Sequence, residues 1–330
     1  MHNVPYEPTL PVGRGELSAA TLAYLRGDSA SLPHADGPAR SDPYGDDLQL
    51  ALYLCYELHY RGFAGVDDEM EWDAALLAFR RTLEDRFLTA LREDAPLPVD
   101  VDTALAALLV EPVKGDSISH HLRDDGTMWQ LREYAVQRSL YHLKEADPHA
   151  WVLPRLHGRA KAGMAAVAYD EFGAGRGERV HARLFADLMR DLSLDPGYGR
   201  YLEAACPQML AVVNLMSLLG LHRSLRGALV GHFATVEITS SPSSRRLVQA
   251  IERLGAGRAA EHFHREHVEA DAVHEQVVRH EVVAGLLEAE PQLAADVTFG
   301  IAATGLVEDR FTEHVLGSWR AERSSLRLPL

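Results

Sequence analysis

The stretch HVEADAVH, residues 267–274, places His267, Asp271 and His274 at i, i+4 and i+7. On an α-helix, at ~100° per residue, these positions fall within roughly 40° of one another. Two imidazoles and one carboxylate then project from a single stripe of a helix expected to run from about Arg258 to Glu288. Imidazole nitrogen and carboxylate oxygen together suit iron, manganese or zinc. A solvated helix face carries such residues too. The stripe alone leaves both readings open, and the remaining ligands must come from elsewhere in the chain.

The rest of the chain has the same period. Good helix formers recur at helical spacing from about residue 44 onward, with no convincing alternating strand. DDLQLALYLCYELHYRGF, WDAALLAFRRTLEDRFLTALRED and VDTALAALLV predict three helices. TMWQLREYAVQRSLYHLKEA predicts one long helix closed near Pro148. RLHGRAKAGMAAVAYDEFGAGRGERVHARLFADLMRDL follows Pro154, and GYGRYLEAA, QMLAVVNLMSLL and RGALVGHFATVEI follow in turn. SPSSRRLVQAIERL is expected to start afresh at serine caps after Pro242 and to stop at Gly255. PQLAADVTFGIAATGLVEDRFTEHVLGSW completes the set. The fold class is all-α, with an irregular arm over 1–43, a helical region over 44–115, a helical core over 116–320 and a tail over 321–330.

Composition narrows the partners. A net charge of −15 argues against nucleic acid, which requires a basic surface. Cys55 and Cys206 form no CxxC pair, which excludes a disulfide scaffold and a cysteine-ligated metal and suits a reducing cytoplasm. No basic start with an apolar run opens the chain, so no signal peptide is expected. MLAVVNLMSLLGL from Met209 is too short to span a bilayer and is interrupted by Asn214 and Ser217, so no membrane partner is expected.

Further ligands are offered by YDEFGAGRGERVHARLF, Tyr169 to Phe185. Glu171 and Glu178 are seven apart, and Glu178 opens a Glu-x-x-His that closes at His181. If the helix continues through Gly173, Gly175 and Gly177, all three share a face, although each glycine weakens a helix interior by about 1 kcal/mol. A bulge or a closely packed neighbour would account for them. The alternative is a helix that ends at Glu171 and restarts at Glu178. Glu145, in SLYHLKEADPHAW, is the best remaining carboxylate, near a helix end whose other positions look packed. Bundle di-iron sites combine Glu-x-x-His helices with single carboxylates on facing helices. Glu145, Glu171, Glu178 and Asp271 carry four negative charges, which balance two divalent cations; uncompensated, they would be prohibitive to bury.

HLKEADPHAW, YDEFGAGRGERVH and HVEADAVHE resemble, in residues and in spacing, the three ligand-bearing helices of the haem-oxygenase-like di-iron oxidases, or iron-containing redox enzymes. The resemblance spans roughly Asp116 to Trp319. It implies a haem-oxygenase-like helical bundle holding two iron ions, cycling between Fe(II) and Fe(III), with O2 as co-substrate and an external electron donor. By the same resemblance Glu145, His181 and His274 bind one iron, Glu171, His267 and Asp271 the other, and Glu178 bridges. Glu171 and Glu178 are the carboxylates implied at the reacting centre. Some relatives, chiefly those that cleave C–C bonds, lack the carboxylate matching Glu171, whereas N-oxygenating relatives have it. Residues 1 to about 115 resemble the dimerisation region of some members, which implies a homodimer. No counterpart of the cupin module carried by one branch is found.

The expected function is therefore N-oxygenation of an amine on a small amino-acid-like substrate, lysine being a candidate, in specialised metabolite biosynthesis. Oxidative C–C cleavage or desaturation of an aliphatic acid or amino acid is the alternative, and product mass separates the two. A ferritin-like iron store and a haem oxygenase rank below both; the latter leaves four inward acids unexplained. The GAGRG at 173 and the GAGRAA from Gly255 follow helical patterns rather than strands, so neither is a dinucleotide loop; the second reads as a helix C-cap and a restart. His262, His264 and Glu266 read as solvent-facing helix residues rather than a separate zinc site. Met209–Leu221 and Phe299–Leu306 are expected to wall the substrate pocket.

Overall fold

Capped, leucine- and alanine-rich segments make helices throughout, and no strand occurs among the described residues. The computed structural model describes residues 7–33, 36–111 and 114–330; the opening of the expected arm, 1–6, lies outside them. The elements are α1 (Glu16–Leu25), α2 (Asp36–Arg40), α3 (Asp46–Glu57), α4 (Ala74–Asp94), α5 (Val101–Leu108), α6 (Ile118–Asp124) and α7 (Met128–His142). After them come α8 (Asp147–Ala150), α9 (Gly158–Glu171), α10 (His181–Asp191), α11 (Pro207–Leu221) and α12 (Arg226–Leu254). α13 (Arg258–Val277) runs through a π-turn (Val278–Val283) into α14 (Ala284–Ala289), and α15 (Ala294–Arg320) closes the fold. Among these residues no helix is long and apolar enough to cross a membrane.

Local chemistry explains many of the boundaries. Asp73 accepts from the Leu76 N–H at 2.8 Å and Asp100 from the Thr103 N–H at 2.7 Å, which starts α4 and α5. Thr127 and Gln130 form a capping box at the start of α7. Gly255 ends α12 in the left-handed conformation, φ 70°, and Gly257 caps α13, so GAGRAA is the cap and restart expected of it.

Three boundaries differ from the sequence expectation. α12 continues through Pro242 rather than breaking there. An interior proline costs ~3 kcal/mol locally, but α12 is packed by α13, α15 and α6, and that burial outweighs the local preference. α7 stops at His142, so Glu145 sits in the turn between α7 and α8. Residues 197–204 are turns, not a helix.

α12 and α15 cross at glycines. A Cβ on Gly231 would collide with the Val297 carbonyl, and one on Gly300 with the Ala228 carbonyl. Only glycine permits this approach. α3 is the least exposed element: every residue from Leu48 to Glu57 is buried, and it packs on α1 and α11. Residues on both sides of position 116 thus feed one hydrophobic core.

That core contains an ion pair with a structural consequence. Lys144 Nζ lies 2.9 Å from Glu57 Oε2, with both side chains at most 1% exposed. The Tyr198 hydroxyl donates to the other Glu57 oxygen, the Lys144 ammonium sits 4.2 Å from the Tyr60 ring centroid, and Arg61 donates to the Leu143 carbonyl. α3 and its exit therefore anchor the turn that carries Glu145.

Candidate metal centre

Four segments converge beside α12. His267, Asp271 and His274 project from one face of α13, and all three are buried, while Glu269 and Glu275 on the same helix face outward or half outward. Glu171 is the last residue of α9 and His181 the first of α10. The glycines between them reverse the chain: Gly173 and Gly175 have φ of 73° and 79°, and a Cβ on Gly173 would strike the backbone of Arg179 and Val180. This turn brings His181 Nδ1 to 2.8 Å from Glu171 Oε2. Glu145 reaches in from its turn, 3.0 Å from His142 Nδ1 and 3.7 Å from His267 Nε2.

The helix does not continue through the glycines, and this relocates one expected ligand. Glu178 lies on a short 3₁₀ turn and is exposed, outside both clusters described below. The Glu-x-x-His spacing shares a face only on an unbroken helix. Glu237 of α12 stands in the cluster instead, buried, 3.2 Å from His274 Nδ1. Sequence reasoning passed over it as part of an apolar helix. The available signal is a lone acid within RGALVGHFATVEI.

Ligand-capable atoms of Glu145, Glu171, His181 and His267 lie within 4.8 Å of one another, as do those of Glu171, Glu237, Asp271 and His274. Glu171 is common to both groups. The geometry thus sets His267 beside Glu145 and His274 beside Asp271 and Glu237, where the resemblance would exchange the two histidines and bridge through Glu178. The totals of four carboxylates and three imidazoles are unchanged, because Glu237 stands where Glu178 was expected.

The donor set fits a cation. His267 Nδ1–H donates to the Phe263 carbonyl at 2.8 Å, which leaves Nε2 pointing at the cluster without a hydrogen-bond partner. Such a fixed tautomer is what metal-ligating histidines have. His181 Nδ1 likewise lacks hydrogen-bond geometry despite its nearness to Glu171. Burial opposes ionisation of Glu145, but His142 and His267 outweigh it and hold the carboxyl well below the usual range. Burial, with Asp271 and Glu171 nearby, pushes Glu237 up to about 8. Burial disfavours charge on His274, yet Asp271 and Glu237 raise it to about 11; Glu145 overcomes burial in the same way at His267. Protons at these groups offset the acids, and an entering cation displaces them. Ser240 donates to Asp271 and fixes its orientation.

A cavity of about 240 Å³ opens on both clusters, lined mainly by α7, α12 and α13. Met216 is the contribution of α11, and Thr304 and Glu308 are those of α15, so most of Met209–Leu221 is core rather than pocket wall. His264, expected in solvent, is buried and lines the cavity, whereas His262 is exposed.

A neutral histidine pair stands at one wall. The Thr304 hydroxyl donates to the Gly300 carbonyl, so it accepts from His232 Nδ1–H at 2.8 Å. His232 Nε2 then accepts from His149 Nε2–H at 3.1 Å. Burial lowers His149 to about 4 and His232 well below its usual value. A histidine depressed in the fold stabilises it at neutral pH and loses that stability as pH falls from about 6.5 through about 4. For His149 the loss is about 3 kcal/mol. Urea unfolding at pH 7 and pH 4.5 should show the slope, and His149→Gln should flatten it; an unchanged slope in the variant would exclude His149 as its source.

The described residues are all-helical, and their paired, buried carboxylate–histidine clusters are compatible with iron. The sequence model for the iron-containing redox enzymes matches residues 132–309, more than half of the chain. The chain belongs to this haem-oxygenase-like family, and its general role is that of an oxidoreductase. No curated protein matches the chain.

Proposed function

We propose that the protein is an O2-dependent di-iron oxygenase that N-oxygenates an amine of a small amino-acid-like substrate. The observation that carries this is the pair of four-residue clusters sharing Glu171. One site would use Glu145, His181 and His267, the other Asp271, His274 and Glu237, with Glu171 between them. Bound iron supplies the electron transfer to O2 that no side chain here can perform. The balance of the reaction is one oxygen atom into the amine, giving a hydroxylamine, and one into water, with two electrons and two protons from an external donor. A homodimer formed through residues 44–115 is part of the same reading.

The chain's own residues line the cavity and orient groups within it. Phe263, Met216 and Leu247 give the cavity an apolar stretch of wall. Burial, with Glu145 and Glu171 nearby, holds the Tyr141 phenol protonated at the same wall, where its O–H remains a donor. Asp271, oriented by Ser240, cannot swing away from the clusters.

The test is an anaerobic Fe(II) titration followed by O2, a reductant and a panel of amines. An endpoint of two irons per chain and products heavier by one oxygen are expected. Amines returned unchanged, or an alkene with a carbon unit lost, would overturn the N-oxygenase reading.

A further inference from the structure

The cavity holds a feature that the metal reading does not use. Besides the clusters, its lining includes Tyr134, Arg138 and Glu308. Tyr134, Arg138 and Tyr141 follow at i, i+4 and i+7 on one stripe of α7, and Glu145 lines the same cavity from the turn beyond it. Arg138 stands about one turn before the end of α7, and Glu145 lies in the turn beyond that end. Its two terminal nitrogens meet the two Glu308 oxygens at 2.8 and 2.7 Å, a bidentate pair. The guanidinium also lies 4.8 Å from the Phe311 ring centroid and 5.6 Å from that of Tyr134. Both partners retain some exposure, 16% for Arg138 and 32% for Glu308, so a ligand in the cavity can reach each.

We propose that Arg138 and Glu308 form a head-group clamp, in which Arg138 takes the α-carboxylate and Glu308 the α-ammonium of a long-chain α-amino acid whose side-chain terminus lies at the carboxylate–histidine clusters. This rests on the reading of those clusters as the reacting centre. A zwitterion is the ligand class that an opposed, mutually paired cation and anion accept without stranding either charge: one ion pair is exchanged for two. A fork-shaped guanidinium matches a carboxylate bidentately. Because Arg138, Glu308, Glu145 and Glu171 line one cavity, a flexible aliphatic stem such as that of lysine would run between the pair and the clusters. A cavity of about 240 Å³ has room for such a molecule and little beyond it.

The test is calorimetric binding of the standard L-α-amino acids to the whole protein, with and without Fe(II) under nitrogen. For lysine, cadaverine lacks only the α-carboxylate and ε-aminocaproate only the α-amine. At least ~10-fold weaker binding of both analogues is expected, since a site built for a polar group discriminates strongly against its loss. Arg138→Gln should abolish the preference of lysine over cadaverine, and Glu308→Gln that over ε-aminocaproate. Both variants should keep the iron endpoint of the wild type. Should a variant fail to fold, the analogue series on the wild-type protein decides alone. No binding by any α-amino acid, or equal binding of lysine and both analogues, overturns the clamp. Discrimination that persists in a wild-type protein unable to load iron supports the clamp and removes the metal reading instead.

Discussion

On the proposed di-iron reading, Glu171→Ala is expected to strip the protein of both metal ions. Glu171 is the residue common to the two clusters, and it is buried at 4% exposure. Its loss leaves each cluster three residues and lowers the buried carboxylates from four to three. Even outer-shell changes cost metal sites ~10–100-fold in affinity, so a shared inner ligand should exceed ~100-fold, read as an iron endpoint well below one per chain. Glu178→Ala is the matched comparison. Glu178 is exposed on its 3₁₀ turn, and its removal should leave the endpoint at the wild-type value. If Glu178→Ala empties the site while Glu171→Ala spares it, the grouping around Glu171 is wrong and the unbroken-helix arrangement is the functional one.

The second large effect concerns stability. Lys144→Met should destabilise the protein by about 3–5 kcal/mol, the usual consequence of breaking a buried ion pair from one side. Glu57 would be left fully buried without its cation, beside the Tyr198 and Tyr53 hydroxyls. Urea midpoints should fall with the slope unchanged. The double variant Glu57→Gln, Lys144→Met removes both charges and should recover most of the loss. A single variant within about 1 kcal/mol of wild type would show that the pair is not the anchor inferred here. Because Lys144 adjoins Glu145, the same substitution should weaken iron binding without touching a ligand. In this way the helices before residue 116 act on the centre from a distance, through the turn after α7.

Much of the architecture was legible because it is locally determined. A 3.6-residue period, aspartates and a capping box at helix starts, and a left-handed glycine at Gly255 each depend on a few neighbouring residues. The burial of His267, Asp271 and His274 on one face follows from their spacing within a single helix. Misread boundaries came where distant contacts overrule local preference. Pro242 predicted a break, but α12 is held between α13 and α15 and continues. Composition likewise predicted a pocket walled by Met209–Leu221, whereas that helix is mostly core.

The sequence by itself determined the all-helical class, the histidine–aspartate stripe of α13, and the family to which the chain belongs, since each is written in short spacings along one segment. Only the tertiary structure decided which acids meet that stripe. Whether Glu178 shares a face with His181 depends on the chain reversing at Gly173, which close backbone contact with Arg179 and Val180 enforces. Whether Glu237 is a solvated acid or a cluster member depends on which face of α12 packs against α13. No periodicity encodes that choice, because helix–helix docking is set by side chains remote in sequence.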